Sequence, residues 1–238
     1  LPLFFSLVTL FLTFFTASAA HLVGGEMSYV CQGANVYEVT LRIYRDCASG
    51  GAAFDANLGI AAYDINNNLI TTVNVPKGPT ISISPNPGSD PCLTVPANLC
   101  SEYADYVATM SLPPLNGGYT LVTQRCCRNN TITNVTNSGS YGSTWTVSIP
   151  SLDVHCNSSP TITTVAPTLI CLGEDINLPL SAAAVDGDSL HYELCDVYSG
   201  GGQGGGGCNA VVPSPPCPPP FTIVPWALGY SATNPIPA

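Results

Sequence analysis

Eleven cysteines and four arginines are the residues of this 238-residue chain whose types and spacing point most directly to chemistry. Cys31, Cys47, Cys92, Cys100, Cys126, Cys127, Cys156, Cys171, Cys195, Cys208 and Cys217 include no Cys-x-x-Cys pair, and only His21, His155 and His191 could add nitrogen ligands. The pattern therefore favours disulfides over zinc. Cys92 and Cys100 bracket a short loop containing Pro and Asn and form the easiest local pair. Cys126 and Cys127 are neighbours in an extended stretch, where successive side chains point to opposite faces, so they are expected to bond to different partners, with Cys47 as one candidate. The odd count leaves at least one cysteine unpaired, and its mate is expected beyond Ala238.

The arginines occur as Arg42, Arg45, Arg125 and Arg128, with the same spacing in each pair, beside Cys47 and beside Cys126-Cys127. In a chain with five Lys plus Arg against fifteen Asp plus Glu, they are expected to be held in carboxylate pairs with Glu26, Glu38 or Asp46. A patch for anionic sugars is the functional alternative. Asp186-Gly187-Asp188 sets two carboxylates on a tight turn, and Glu174-Asp175 adds hard oxygen ligands upstream, the donor set that suits calcium. The same Asp-Gly is also a hairpin signal ahead of the alternating stretch at 189–195. Trp145, Trp226 and Tyr141 are candidate platforms for a sugar ring, with core packing as the competing role.

Catalysis finds little support. A nucleophilic enzyme needs Cys or Ser beside a His base, and neither Gly-x-Ser-x-Gly nor His-Glu-x-x-His occurs. A carboxylate pair for glycoside hydrolysis depends on spacing set by the fold. The expected role is non-catalytic. A net charge of −10 offers no basic surface to a phosphate backbone, which excludes nucleic acid as a partner. Asn129-Asn130-Thr131, Asn134-Val135-Thr136 and Asn157-Ser158-Ser159 match the glycosylation pattern, which matters only on a eukaryotic secretory route.

The elements that must position these residues are strands. Residues 1–20 form an apolar run ending in Ala17-Ser18-Ala19-Ala20, the pattern of a cleaved signal peptide, with an uncleaved anchor as the alternative. No membrane span is expected in the mature chain, and the chain is placed in the secreted or outer-surface compartment. Twenty-two Gly and twenty-two Pro favour strands and turns over helices, giving an all-β class. At 36–45, Tyr37, Val39, Leu41 and Ile43 alternate with polar residues, the period of a strand with one buried face. Further strands are predicted at 58–63, 69–75, 106–112, 118–128 and 143–149, punctuated by Asn, Gly and Pro turns. A domain boundary is expected at 151–160, dividing an N-terminal β-sandwich (21–155) from a second Ig-like or cadherin-like β unit (156–238). That unit would carry strands at 168–171, 176–182, 189–195 and 221–226, with a Gly/Pro-rich loop or linker at 199–220.

Several stretches together resemble a known group. They are His21-Leu22-Val23-Gly24-Gly25-Glu26-Met27-Ser28-Tyr29, Tyr44-Arg45-Asp46-Cys47, Gly117-Gly118-Tyr119-Thr120-Leu121-Val122 and Gln124-Arg125-Cys126-Cys127-Arg128-Asn129-Asn130-Thr131. The chain resembles the N-terminal region of large secreted surface proteins of the Bacteroidota, which carry polycystic-kidney-disease-type or other Ig-like repeats and a gliding-motility-associated C-terminal sorting domain. The resemblance implies type IX export and a place at the cell surface, with adhesion or gliding as the associated roles. The partner would be an extracellular protein or polysaccharide surface. A carbohydrate-binding module, or an accessory region of a secreted hydrolase, is the alternative. Ala184-Val185 stand where the group's Asp-Pro-Asp-Gly-Asp motif begins, which removes one calcium carboxylate and weakens the implied metal site.

Overall fold

The computed structural model describes residues 22–48, 52–83, 96, 98–151, 156–164, 169 and 180–236. The chain is all-β. Nine strands follow one another: β1 Leu22–Gly33, β2 Val36–Asp46, β3 Asn57–Tyr63, β4 Leu69–Ser82, β5 Ser101–Ser111, β6 Tyr119–Arg125, β7 Ser143–Ile149, β8 Thr161–Ile162 and β9 Ala182–Ala183. The first seven form one antiparallel sheet in the order β1-β2-β5-β4-β3-β6-β7, and β8 pairs with β9 in a separate ribbon. Among the described residues no helix is long and apolar enough to cross a membrane.

The alternation at 36–45 becomes β2, with Tyr37, Val39, Leu41 and Ile43 all buried. Strand β4 is twice the predicted length because it serves two neighbours. Asn57–Tyr63 pairs with its first half, while its second half pairs with β5 across an irregular register between Lys77 and Thr80. The main core draws on strands from both sides of that transition, including Tyr29, Leu41, Tyr106, Leu121 and Trp145. Burying such apolar side chains, at about 1.5–3 kcal/mol each, is the main stabilising term.

Strand β1 has no counterpart among the predicted strands. Its Gly24-Gly25 pair and mixed polarity give no period-2 pattern, yet it pairs with β2 along almost its full length. Gly25 is required there: a Cβ at this position would run into the Trp145 indole and the Arg42 carbonyl. Conversely, the alternating stretch at 189–195 is not a strand, and Tyr192 and Leu194 are exposed. Alternation makes a strand only where a neighbour accepts its backbone hydrogen bonds, and none of the described residues does so here. Residues 221–226 likewise form only single bridges, Ile223 with Tyr198 and Trp226 with Val135. The predicted leader at 1–20, the strand at 168–171 and most of that at 176–182 lie outside the described residues.

The Gly/Pro-rich segment lies on the first sheet. Strand β6 is buried on both faces, which a single-layer reading of its sequence does not suggest. One face joins the main core through Tyr119 and Leu121. On the other face Val122 packs with Ala61, Tyr63 and Phe221. The Cys126 N–H donates to the Val211 carbonyl at 2.8 Å, the Cys217 N–H donates to the Gln124 side chain at 2.8 Å, and the Tyr63 hydroxyl donates to the Pro216 carbonyl. These bonds satisfy backbone groups that a proline-rich segment cannot pair with itself.

Candidate functional site

Four disulfides occur among the described residues: Cys31–Cys156, Cys47–Cys100, Cys126–Cys127 and Cys208–Cys217. Two pairings predicted from sequence are corrected. Cys100 bonds to Cys47 rather than Cys92, because β2 ends beside the start of β5 and the Cys47 N–H donates to the Cys100 carbonyl. That also removes Cys47 as a mate for Cys126 or Cys127. Those two bond to each other. They lie past the last residue of β6, so the strand rule of opposite faces does not apply. Cys195 is a free, exposed thiol, and Cys92 and Cys171 lie outside the described residues.

The β2–β5 register explains two arginines. It sets Arg42 opposite Asp105 and Arg45 opposite Glu102, cross-strand neighbours with side chains in contact. Arg42 Nε and Nη2 donate to the two carboxylate oxygens of Asp105 at 2.7 and 2.8 Å, and this bond pushes the guanidinium further above its already high range. Arg45 Nε donates to Glu102 at 2.5 Å. Arg125, whose side chain is 5% exposed, donates to Asp55 at 2.7 Å. The carboxylates predicted from sequence lie elsewhere. Glu26 accepts from the Tyr44 hydroxyl, and Asp46 accepts from the Asn129 side-chain amide.

Arg128 differs from the other three. It has no carboxylate partner among the described residues. Its Nη2 donates to the Tyr198 carbonyl at 3.0 Å, while its buried Nε has no acceptor. Desolvation without a compensating charge pushes its guanidinium down to about 10. Arg128 lines a cleft of about 440 Å³ with Thr131, Thr133, Asn134, Trp226 and Tyr230. The volume falls within the roughly 300–1,000 Å³ of small-ligand pockets.

Three pieces of chain build this cleft. The Asn129 N–H donates to the Leu22 carbonyl, fixing the loop after β6 to the start of β1. The Thr136 N–H donates to Pro225 and the Ala227 N–H to Asn134, which lock the 131–136 loop to the C-terminal segment. Asn134 also donates its side-chain amide to the Pro235 carbonyl at 2.8 Å. The Trp226 indole nitrogen donates to Asp196 at 3.0 Å, which fixes the ring.

Of the three aromatic candidates, only Trp226 lines the cleft. Trp145 is 8% exposed in the main core beneath Gly25 and has no free face. Tyr141 is half-buried, and its carbonyl accepts from the Arg128 N–H. Arg128 was legible as an arginine in short supply. Thr131, Thr133 and Tyr230 carry no local signal, since only the fold brings residues 131 and 230 together.

Asp186 accepts from the Ser158 N–H, and Asp188 accepts from the Asn157 side-chain amide at 2.9 Å. Both carboxylates thus hold the segment that Cys156 anchors to β1. Among the described residues no group of three or more His, Cys, Asp or Glu side chains is arranged to hold a metal ion, and Glu174 and Asp175 lie outside them. The three glycosylation-pattern asparagines all use their side-chain amides internally, on Asp46, Pro235 and Asp188.

No family model matches the chain, and comparison with curated proteins and with solved structures finds no match.

Proposed function

We propose that this chain is a non-catalytic extracellular structural or adhesion module of a gliding- or adhesion-associated surface protein, of the Bacteroidota type that the sequence resembles. In this reading the seven-stranded sheet folds as a disulfide-stabilised β-sandwich, and residues 156–238 form a second Ig-like or cadherin-like unit whose Gly/Pro-rich segment packs on the first sheet. The observation that carries it is the covalent framework. Cys31–Cys156 and Cys47–Cys100 close loops with sequence separations of 125 and 53, ties characteristic of proteins in an oxidising compartment. The module acts by presentation: a stapled scaffold holds loops and a cleft toward an extracellular protein or polysaccharide.

Protease treatment of intact host cells, followed by thiol alkylation without reductant, tests the proposal. The chain should be shaved from the outside, with the eight cysteines of the four disulfides protected from alkylation. Recovery from the cell interior with those cysteines alkylated would sink it. A second reading, a carbohydrate-binding module, is favoured by the cleft that combines Trp226, Tyr230 and threonine hydroxyls. Its test is a glycan array probed with the whole chain, and silence across every glycan class removes it.

A further inference from the structure

The cleft beside β1 holds the fourth arginine, and its surroundings restrict what it can take. Arg42, Arg45 and Arg125 each meet a carboxylate of this chain, whereas among the described residues the Arg128 side chain meets only the Tyr198 carbonyl and keeps a buried Nε without an acceptor. A guanidinium matches a carboxylate through two parallel hydrogen bonds, so an arginine that lines a cleft without a carboxylate of the described chain suits an anionic group of that shape. Among the described residues the remaining wall is uncharged. Thr131 and Thr133 offer hydroxyls, Trp226 and Tyr230 offer aromatic surface, and Val23, Ile132, Val135, Val197, Pro235 and Ile236 make the rest of the wall apolar.

Net charge narrows the ligand further. At −10 the molecule repels polyanions at long range, and Asp196 sits on the Trp226 indole, so one carboxylate on an otherwise neutral body fits better than a row of them. Threonine hydroxyls beside Trp226 and Tyr230 suit a sugar ring, whose C–H face can pack on the rings and the aliphatic wall while its hydroxyls meet the threonines. We propose that this cleft binds a sugar residue bearing a single carboxylate, a hexuronic acid, with the carboxylate on the Arg128 guanidinium and the ring against Trp226. The assignment rests on the carbohydrate-binding reading and gives it a chemical class.

Calorimetric titration of the whole chain with glucuronic acid, glucose and an acetylated peptide bearing one carboxylate tests the assignment. Glucuronic acid should bind at least about tenfold more tightly than glucose, the effect expected of one charge-assisted bond. That preference should vanish in Arg128→Gln, with circular dichroism checking that the variant is folded. Without any variant, raising the salt concentration should weaken glucuronic acid and leave glucose unchanged. Equal binding of the two sugars overturns the carboxylate assignment while sparing the carbohydrate reading, and binding of neither overturns both. Preference for the peptide over glucuronic acid overturns the assignment in favour of a protein partner, as does salt-independent binding of glucuronic acid.

Discussion

Arg125 and Asp55 show at the residue scale how a chain with few cations uses them. Arg125 lies almost fully buried in the core-facing row of β6, and Asp55 reaches it from the short stretch before β3. Asp55→Ala leaves an uncompensated buried charge, so it should cost about 2–3 kcal/mol in denaturant unfolding, reduced from the fully buried case because Asp55 is partly exposed. Asp105→Ala, whose pair with Arg42 is more exposed, should cost about 1 kcal/mol or less. A reversed ranking of the two would contradict the burial argument. The scarcity of cations made the arginines stand out in sequence, yet their partners followed from a register that pairs residues about 60 apart.

The tyrosines set the alkaline limit of the fold. Burial raises the hydroxyls of Tyr29, Tyr37, Tyr44, Tyr63, Tyr106 and Tyr119 above the ordinary 10, that of Tyr29 to about 12. A raised folded-state value means that the native state holds the proton longer than the unfolded chain. The associated stability is therefore complete below pH 10 and is lost as pH climbs through the folded-state values. Arg128 has the opposite sign, since its depressed guanidinium makes stability rise over the same alkaline range. Six tyrosines outweigh one arginine, so thermal midpoints should fall above pH 10, in step with tyrosinate absorbance. Tyr29→Phe should move that fall to higher pH, and an unchanged profile would show that Tyr29 ionises without unfolding.

At the scale of elements, the layer that covers β6 is the least expected feature. Gly142 lies just before β7 with the Gly200 carbonyl against it, closer than any Cβ would allow, and Gly200 itself sits over Gln124 and Thr144. Gly142→Ala must push the 199–220 segment away from the sheet, at about 1–3 kcal/mol by analogy with overpacked cores. Faster hydrogen exchange at the Cys126 and Cys217 amides would report that displacement. If stability falls while those amides stay protected, the strain is absorbed elsewhere.

Six of the seven strands in the large sheet were readable: β2 from its period 2, and β3 and β6, buried on both faces, from apolar runs bounded by turn residues. Strand β1 was not, since Gly25 answers to Trp145 across the core rather than to a local pattern. The stretch 189–195 carried the pattern without the partner. The cleft was the least legible part: Trp226 stood out as a candidate, but its neighbours are named only once the chain has folded.

For the whole molecule, the disulfides rank by the loops they close. A chain-entropy estimate gives about 5 kcal/mol for Cys31–Cys156, about 4 for Cys47–Cys100 and about 2.5 for Cys208–Cys217, from separations of 125, 53 and 9. Paired serine substitutions should lower unfolding free energies in that order. A larger loss from the shortest loop would indicate that Cys208–Cys217 matters through the packing of the proline segment rather than through the unfolded chain.

The bond between Tyr63 and Pro216 also sets a timetable. A polypeptide made from its N-terminus produces β3 long before the residue that covers it, 153 positions later. During that interval Val122 and Tyr63 have no Phe221 to pack against, and the outer face of the nascent sheet is open to other chains. Such distant pairings slow folding and prolong exposure. Completion of the fold at β3 and β6 therefore waits on the last third of the chain, and a chain truncated before Pro216 would leave that face uncovered.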